Sequence, residues 1–402
     1  MNPAAGQPLH VAVVCERFDA FGGGNERSSA EIVRRLVESG HRVTVLAGAC
    51  QLGAELPGAS LQRLRIKKTS SPLHLLRFVF WAERRLRRLR PDVSLSMSTL
   101  VRAAVIQPRG GTVAETQLRN IARRGTRAAR RKKALLLKLN AKQQLLRRLE
   151  RRVLRSVGRP GGVRLAVAIS GYARQMLLEA GLPPEWIRVV PNAADMPRLT
   201  PQQRAAYRSE VREGWGLPEE AEVLLFAAMN PGLKGVDTLL HAVALLKSAR
   251  PLLYVVLAGP HVHAVSRTID RLGIRDAVRL AGQTREMPRL YAASDLTVLP
   301  TFYDPASKVV LESMMLGVPA VTTRFNGAAD WIDRPQRGAV IDDPADARGL
   351  AAALNELLDA RRSTAPDVEL VAELSMDRHV ESLLQVLREA ADLRGAASRP
   401  ES

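Results

Sequence analysis

Residues 295–327 read DLTVLPTFYDPASKVVLESMMLGVPAVTTRFNG, from Asp295 to Gly327. Leu296 to Leu299 is a short apolar run with the length of a buried strand, and Pro300 to Pro305 is punctuated as a loop. A helix is expected next. Val309, Val310, Glu312, Ser313, Met314 and Leu316 carry its pattern, Pro305 or Ser307 suits its entrance, and Gly317 followed by Pro319 closes it. Pro319 to Thr322 then begins another strand. A strand–loop–helix unit of this kind aims the N–H groups of a helix N-terminus outward at the strand's end, where a phosphate is readily held. Asp304 falls in the loop and Glu312 two turns into the helix, so both carboxylates are expected to flank one bound ligand.

The same alternation extends in both directions. Val11 to Cys15 reads as a strand running through Glu16 into Gly22-Gly23-Gly24-Asn25; a helical pattern follows to Ser39, and Arg42 to Ala47 returns as a strand. Those glycines either let a ligand approach backbone N–H groups or form a plain tight turn. They do not spell GxGxxG, and no acid ends the second strand, which disfavours a nicotinamide cofactor. Leu61 to Ile66, Val93 to Met97, Ala103 to Gln107, Leu165 to Ile169 and Ile187 to Val190 read as further strands, with a basic helix over Leu73 to Leu89. From Glu222 a second series begins, with strands over Val223–Ala228, Tyr254–Ala258, Val278–Ala281, Leu296–Leu299 and Ala320–Thr322. The expected fold is α/β: two Rossmann-like, doubly wound parallel-sheet domains facing across a cleft. Their boundaries fall at 1–193 and 194–375, with a last helical segment in 376–402.

Length and charge bound the function. The 402 residues suit two domains at about 150 residues each, and the net charge of +20 calls for an anionic partner. Two cysteines, Cys15 and Cys50, make neither a disulfide framework nor a zinc cluster. The start lacks a basic, then apolar, signal pattern, and no apolar run is long enough to span a bilayer, so a cytoplasmic protein is expected.

The charge is concentrated. Arg119 to Val157 holds fifteen Lys or Arg against one acid, Glu150, and so supplies fourteen of the twenty net charges. Leu135, Leu139, Leu146, Leu149 and Val153 recur at helical spacing beneath that surface. Such an insertion suits an anionic membrane through Arg123, Arg124, Arg127, Arg130, Arg131, Lys132, Lys133, Arg147, Arg148, Arg151 and Arg152. Nucleic acid is a rival, weakened by the lack of any Phe, Trp or Tyr between Trp81 and Tyr172 to stack on bases. A solvated helix whose leucines face the domain core is the third reading.

Lys234, in Asn230-Pro231-Gly232-Leu233-Lys234-Gly235, lies in the loop before a helix, where an ammonium and helix amides together can neutralise a diphosphate. Alone it could equally be a surface lysine. Pro108-Arg109-Gly110-Gly111-Thr112 follows a strand and is either an acceptor-side loop or a simple connection, with Glu16, Arg109 and Gly110 the candidates on that side.

Asp304, seven residues, Glu312, then Leu316-Gly317-Val318-Pro319-Ala320-Val321 resembles the Glu-x7-Glu signature of retaining GT-B glycosyltransferases, in particular glycosyltransferase family 4. The run from Ala166 to Asp195 is similar to that family's crossover between domains, and the overall likeness is greatest to lipopolysaccharide-core glucosyltransferases, which carry a basic membrane-binding insertion in the N-terminal half. The resemblance implies that Glu312 holds a nucleotide ribose and Asp304 contacts the donor sugar. It places the amides of Pro305-Ala306-Ser307-Lys308-Val309 around the distal phosphate, and Lys234 beside the diphosphate. Gly282 and Gln283 line the base in this reading, with Gly23, Gly24 and Asn230 also on the donor side. Two departures stand out: Asp for Glu at 304, and no arginine near Lys234, a charge that Lys308 could supply. The implied function is retaining transfer of a hexose from a nucleotide-diphosphate sugar, a UDP-sugar being the expected donor, to a glycan or glycolipid at the inner membrane face. No cofactor or metal is expected, since no Asp-x-Asp pair follows a strand. The alternatives are a soluble transferase acting on a small acceptor, and a non-catalytic nucleic-acid-binding protein on the same scaffold.

Overall fold

The computed structural model describes residues 7–19, 24–50, 56–64, 71–360 and 366–396. Contacts divide the chain into two units, Met1–Asn192 with Met376–Ser402, and Ala193–Ser375. In the first, β1 (His10–Phe18), β2 (Arg42–Cys50), β3 (Ala59–Arg63), β4 (Val93–Ser96), β5 (Val105–Ile106), β6 (Leu165–Ala168) and β7 (Ile187–Val189) form one sheet in the order β3-β2-β1-β4-β5-β6-β7. Every pairing is parallel. Parallel strands need covering on both faces, which is why Val11 to Cys15 are apolar without alternation and all buried. The helix Met376–Ala396 belongs to this unit: Leu383 and Leu387 are fully buried, Arg188 pairs with Glu389, and the Arg164 guanidinium donates to the Ala390 carbonyl at 2.6 Å.

The second unit repeats the scheme with β8 (Glu222–Ala227), β9 (Leu253–Ala258), β10 (Val278–Gly282), β11 (Leu296–Leu299), β12 (Ala320–Thr323) and β13 (Gly338–Ile341). The order is β10-β9-β8-β11-β12-β13, again all parallel. Strand β13 has no counterpart in the sequence reading. It is a four-residue edge strand with two half-buried residues and one exposed, so it carries no apolar run to betray it. Its first residue, Gly338, has φ +129°, and a Cβ there would stand 1.8 Å from the Ala320 carbonyl oxygen.

The basic insertion departs from expectation. Residues 119–157 do not form one helix but contribute to three: Val113–Ala122, Arg127–Leu139 and Ala141–Leu154. Asn140 ends the second and caps the third, its Oδ1 accepting the Gln143 amide at 3.1 Å. The break divides the leucine stripe. Leu135 and Leu139 are 57% and 73% exposed on a helix that buries nothing, whereas Leu149 and Val153 are in the core. The single acid of the segment is structural: buried Glu150 accepts the Val113 and Ala114 amides at 2.6 and 3.1 Å and the Thr99 hydroxyl at 2.9 Å, closing a helix N-terminus.

Candidate functional site

In a doubly wound sheet, ligands gather outside the carboxyl ends of the strands where the order reverses. In the second unit that point lies between β8 and β11, and the loops leaving those two strands carry Lys234 and Asp304. The structure joins them. The Lys234 ammonium donates to Asp304 Oδ2 at 2.6 Å and to the Tyr303 carbonyl at 2.9 Å. Both side chains are over four-fifths shielded from water. The loops are stitched together by the Leu233 carbonyl, which accepts the Phe302 amide at 3.0 Å. Gly235, at φ +82°, comes so close to the β11 loop that a Cβ would lie 2.0 Å from the Pro300 carbonyl oxygen, which makes glycine obligatory beside Lys234. Asn230 turns inward on its own loop, its Oδ1 accepting the Leu233 amide at 3.3 Å.

Asp304 is held from three sides. Its amide donates to the Phe325 carbonyl, its carbonyl accepts the Gly327 amide, and its Oδ1 accepts the Ala306 amide at 3.2 Å. The next amide, of Ser307, donates to Asn326 Oδ1 at 3.1 Å. Two of the amides expected to face a phosphate are therefore turned to internal acceptors, because the buried loop would otherwise leave them without partners. Pro305 is buried and has no N–H to offer. The helix Lys308–Met315 follows, opening with Lys308 and Val309 at the end where helix amides face outward. With the helix starting at Lys308, Glu312 stands in its second turn. Glu312 Oε2 accepts the Tyr291 hydroxyl at 2.8 Å. Tyr291 is fully buried, and burial, with the Glu312 carboxylate beside it, raises its pKa well above the usual phenol value. It thus stays a proton donor that orients Glu312. Neither Tyr291 nor Asn326 was expected: one resembles a core aromatic and the other a turn residue, with no spacing to mark them. Gly282, at φ +64°, ends β10, two strands from β8, and exposed Gln283 follows it.

The first unit has its own reversal, between β1 and β4. Glu16 is on β1; burial raises its pKa, against the pull of Lys142 and a hydrogen bond with Ser98 after β4. Gly24 opens the helix Gly24–Glu38, and Gly23 lies outside the described residues. Arg109 lies in the turn after β5, with its side chain directed inward. It is 3% exposed, donates to Gln107 Oε1 at 3.3 Å and Asn192 Oδ1 at 2.5 Å, and burial without a carboxylate lowers its pKa to about 10. Exposed Gly110 adjoins it.

Arg152 is bound to Glu83, and Arg123, Arg124 and Lys133 are half-buried. Arg127, Arg130, Arg131 and Lys132 are exposed on one helix, and Arg147, Arg148 and Arg151 on the next. Among the described residues, no helix is long and apolar enough to cross a membrane. Nor does any group of three His, Cys, Asp or Glu side chains there form a metal-holding cluster.

Comparison with known proteins matches each half to a glycosyltransferase model: residues 22–198 to "Glycosyltransferase Family 4" and residues 208–368 to "Glycosyl transferases group 1". The chain is 32% identical over 200 residues to a D-inositol 3-phosphate glycosyltransferase of Thermobispora bispora, 46% of each chain. It is 30% identical over 259 residues to the enzyme of that name from Thermomonospora curvata, 59% of each. The matches span about half the length of these relatives. Among solved structures, it is similar to WaaG, a glycosyltransferase involved in lipopolysaccharide biosynthesis, with a TM-score of 0.72 and 21% identity over 95% of this chain and 99% of that one. Anabaena HepE in complex with UDP-glucose follows at 0.68 and 16%, covering 95% and 100%. The fold is GT-B.

Proposed function

We propose that this chain, both halves of which match glycosyltransferase models, transfers a hexose from a nucleotide-diphosphate sugar with retention of anomeric configuration. The observation that carries this reading is the Lys234–Asp304 pair at the β8/β11 reversal, with Glu312 oriented by Tyr291 in the adjoining helix. In this reading the diphosphate lies along Lys234 and the amides of Lys308 and Val309, which stabilise the charge that grows as the glycosidic bond breaks. Glu312 accepts from the ribose hydroxyls, and Asp304 from the sugar while it holds the ammonium in place. The departing phosphate takes the acceptor's proton, so neither a dedicated base nor a metal is invoked. A UDP-sugar is the donor of choice, in keeping with the UDP-glucose bound to HepE. Thermal shift with a nucleotide-sugar panel tests it: one donor should raise the melting temperature, by about 2.7 kcal/mol of stabilisation at a hundred times its Kd. Proton NMR of the product should show the donor's anomeric configuration. A panel that leaves the melting temperature unmoved sinks the reading.

Two acceptor classes follow from different observations. The exposed leucines and basic residues of Arg127–Leu139 favour a glycolipid acceptor met at the inner face of an anionic membrane. The names of the relatives favour a small phosphorylated polyol instead. Replacing Leu135, Leu136 and Leu139 together by serine should abolish binding to phosphatidylglycerol vesicles and transfer to a vesicle-borne acceptor. Undiminished transfer to a soluble polyol phosphate, with none to the glycolipid, selects the second class.

A further inference from the structure

At the opposite, amino-terminal ends of β4, β5 and β6 the first unit has two adjoining open cavities, of about 830 and 520 Å³. Nine arginines and no lysine line them, against two carboxylates, Glu83 and Asp92. Both acids are already engaged. Glu83 binds Arg152 and accepts the Arg102 amide at 3.1 Å, and Asp92 Oδ2 accepts the His10 amide at 2.7 Å. On one side, Arg87, Arg90 and Arg102 are exposed and have no carboxylate partner among the described residues. On the other, Arg148, Arg151 and Arg155 project from a single face of the Ala141–Leu154 helix and its cap, at a spacing of three and four residues where like charges repel.

The wall shared by the cavities is rigid. Arg159-Pro160-Gly161-Gly162 forms a type II turn, with the Gly162 amide on the Arg159 carbonyl at 2.9 Å and Gly161 at φ +68°. Gly158, at φ +72°, lies against the Trp186 ring, which a Cβ would meet at 2.7 Å. Arg159 is therefore presented on a fixed turn facing the helix arginines. Guanidinium groups suit phosphate oxygens because their paired N–H donors match them two at a time, whereas a merely solvated or membrane-skimming surface serves as well with lysine. The neighbouring Arg127–Leu139 helix, which mixes lysine and arginine with exposed leucines, has that second character.

We infer that these cavities form a second ligand site, separate from the one at the carboxyl ends of the strands, for an anion bearing two or more linked or neighbouring phosphates. The inference does not depend on the proposed transferase activity. Calorimetry of the full chain with sodium tripolyphosphate at low ionic strength tests it, with vesicles of phosphatidylcholine containing phosphatidic acid as a second probe. Saturable binding of either probe is expected, weakened about tenfold or more by Arg102→Ser with Arg159→Ser, two exposed positions whose replacement should leave the circular dichroism spectrum unchanged. Arg130→Ser with Arg131→Ser removes the same charge from the next helix and should change the affinity less than about twofold. Tripolyphosphate binding without vesicle binding assigns a free ligand, and vesicle binding that tripolyphosphate displaces assigns a phosphorylated headgroup. Equal losses in the two double variants, or no binding of either probe, overturn the site. Tighter binding of a duplex oligonucleotide, at equal phosphate concentration, overturns it in favour of nucleic acid.

Discussion

The two sheet reversals solve the same electrostatic problem in opposite ways. At β8/β11 a lysine and an aspartate from different loops neutralise each other at 2.6 Å, and a second acid, Glu312, is held by a tyrosine hydroxyl. Near the β1/β4 reversal, Glu16 and Arg109 are each desolvated, Glu16 with only the offsetting pull of Lys142 and a hydrogen bond with Ser98 and Arg109 with neutral partners alone, so burial moves both toward their uncharged forms. A buried charge met by an opposite one is compensated until a ligand arrives; one without such a partner is a standing cost to the fold. The difference is why the proposed donor site is placed in the second unit.

The sharpest way to break this contrast is to unpair the second unit. Lys234→Met should lower stability by about 3 kcal/mol, because it leaves Asp304 charged and shielded, and should cut transfer about a hundredfold or more. Adding Asp304→Asn should restore the melting temperature while transfer stays lost. Stability unchanged by the single substitution would show the pair to be incidental. Glu312→Ala should reduce transfer or donor hydrolysis by a similar factor of about a hundred, and Tyr291→Phe by about ten through a higher donor KM, as the loss of one orienting hydrogen bond to a charged group suggests.

Backbone replacements probe the loops themselves. Gly235→Ala should destabilise by about 2 kcal/mol or more, since it combines a left-handed φ with a clash on Pro300. Gly24→Ala, in open space, should change stability by less than about 0.5 kcal/mol, measured by urea denaturation. The smallest effect concerns Glu16. A carboxyl with a raised folded pKa costs nothing below its unfolded value, where both states are protonated, and destabilises increasingly as pH rises past it. Glu16→Gln should therefore raise the melting temperature at neutral pH and leave it unchanged near pH 3. An equal effect at both would mean that ionisation is not the cause.

Much of the architecture is legible from periodicity alone. The Leu296–Leu299 strand has the same bounds in the sequence reading and in the structure, and the glycines and prolines around it punctuate the loop and helix end, because these depend on residues within a few positions of each other. The edge strand β13 was not legible, since an edge position leaves apolar pressure on only part of its surface. The leucines at 135, 139, 149 and 153 look alike in a helical pattern, yet half are bare and half are core. The single-helix reading fails at Asn140, where the chain turns and only the second half packs against the Pro72–Leu89 helix. Arg109 was legible as a turn residue from the Pro and Gly around it; its partner Asn192, eighty-three positions away, was not.

By itself the sequence determined the alternation of strands and helices, the punctuation of their ends by glycine and proline, and the concentration of positive charge in one segment. These follow from local sterics and from composition. Which charges meet was decided only in three dimensions: Lys234 and Asp304 are seventy residues apart and become partners because the sheet order sets β8 beside β11. The arginines of 148–159 likewise become a walled site only when the Pro72–Leu89 helix and the β5 entry bring Arg87, Arg90 and Arg102 across from them. Coulomb interactions and desolvation depend on distances through space and on exclusion of water, and neither is written in the spacing of residues along a chain.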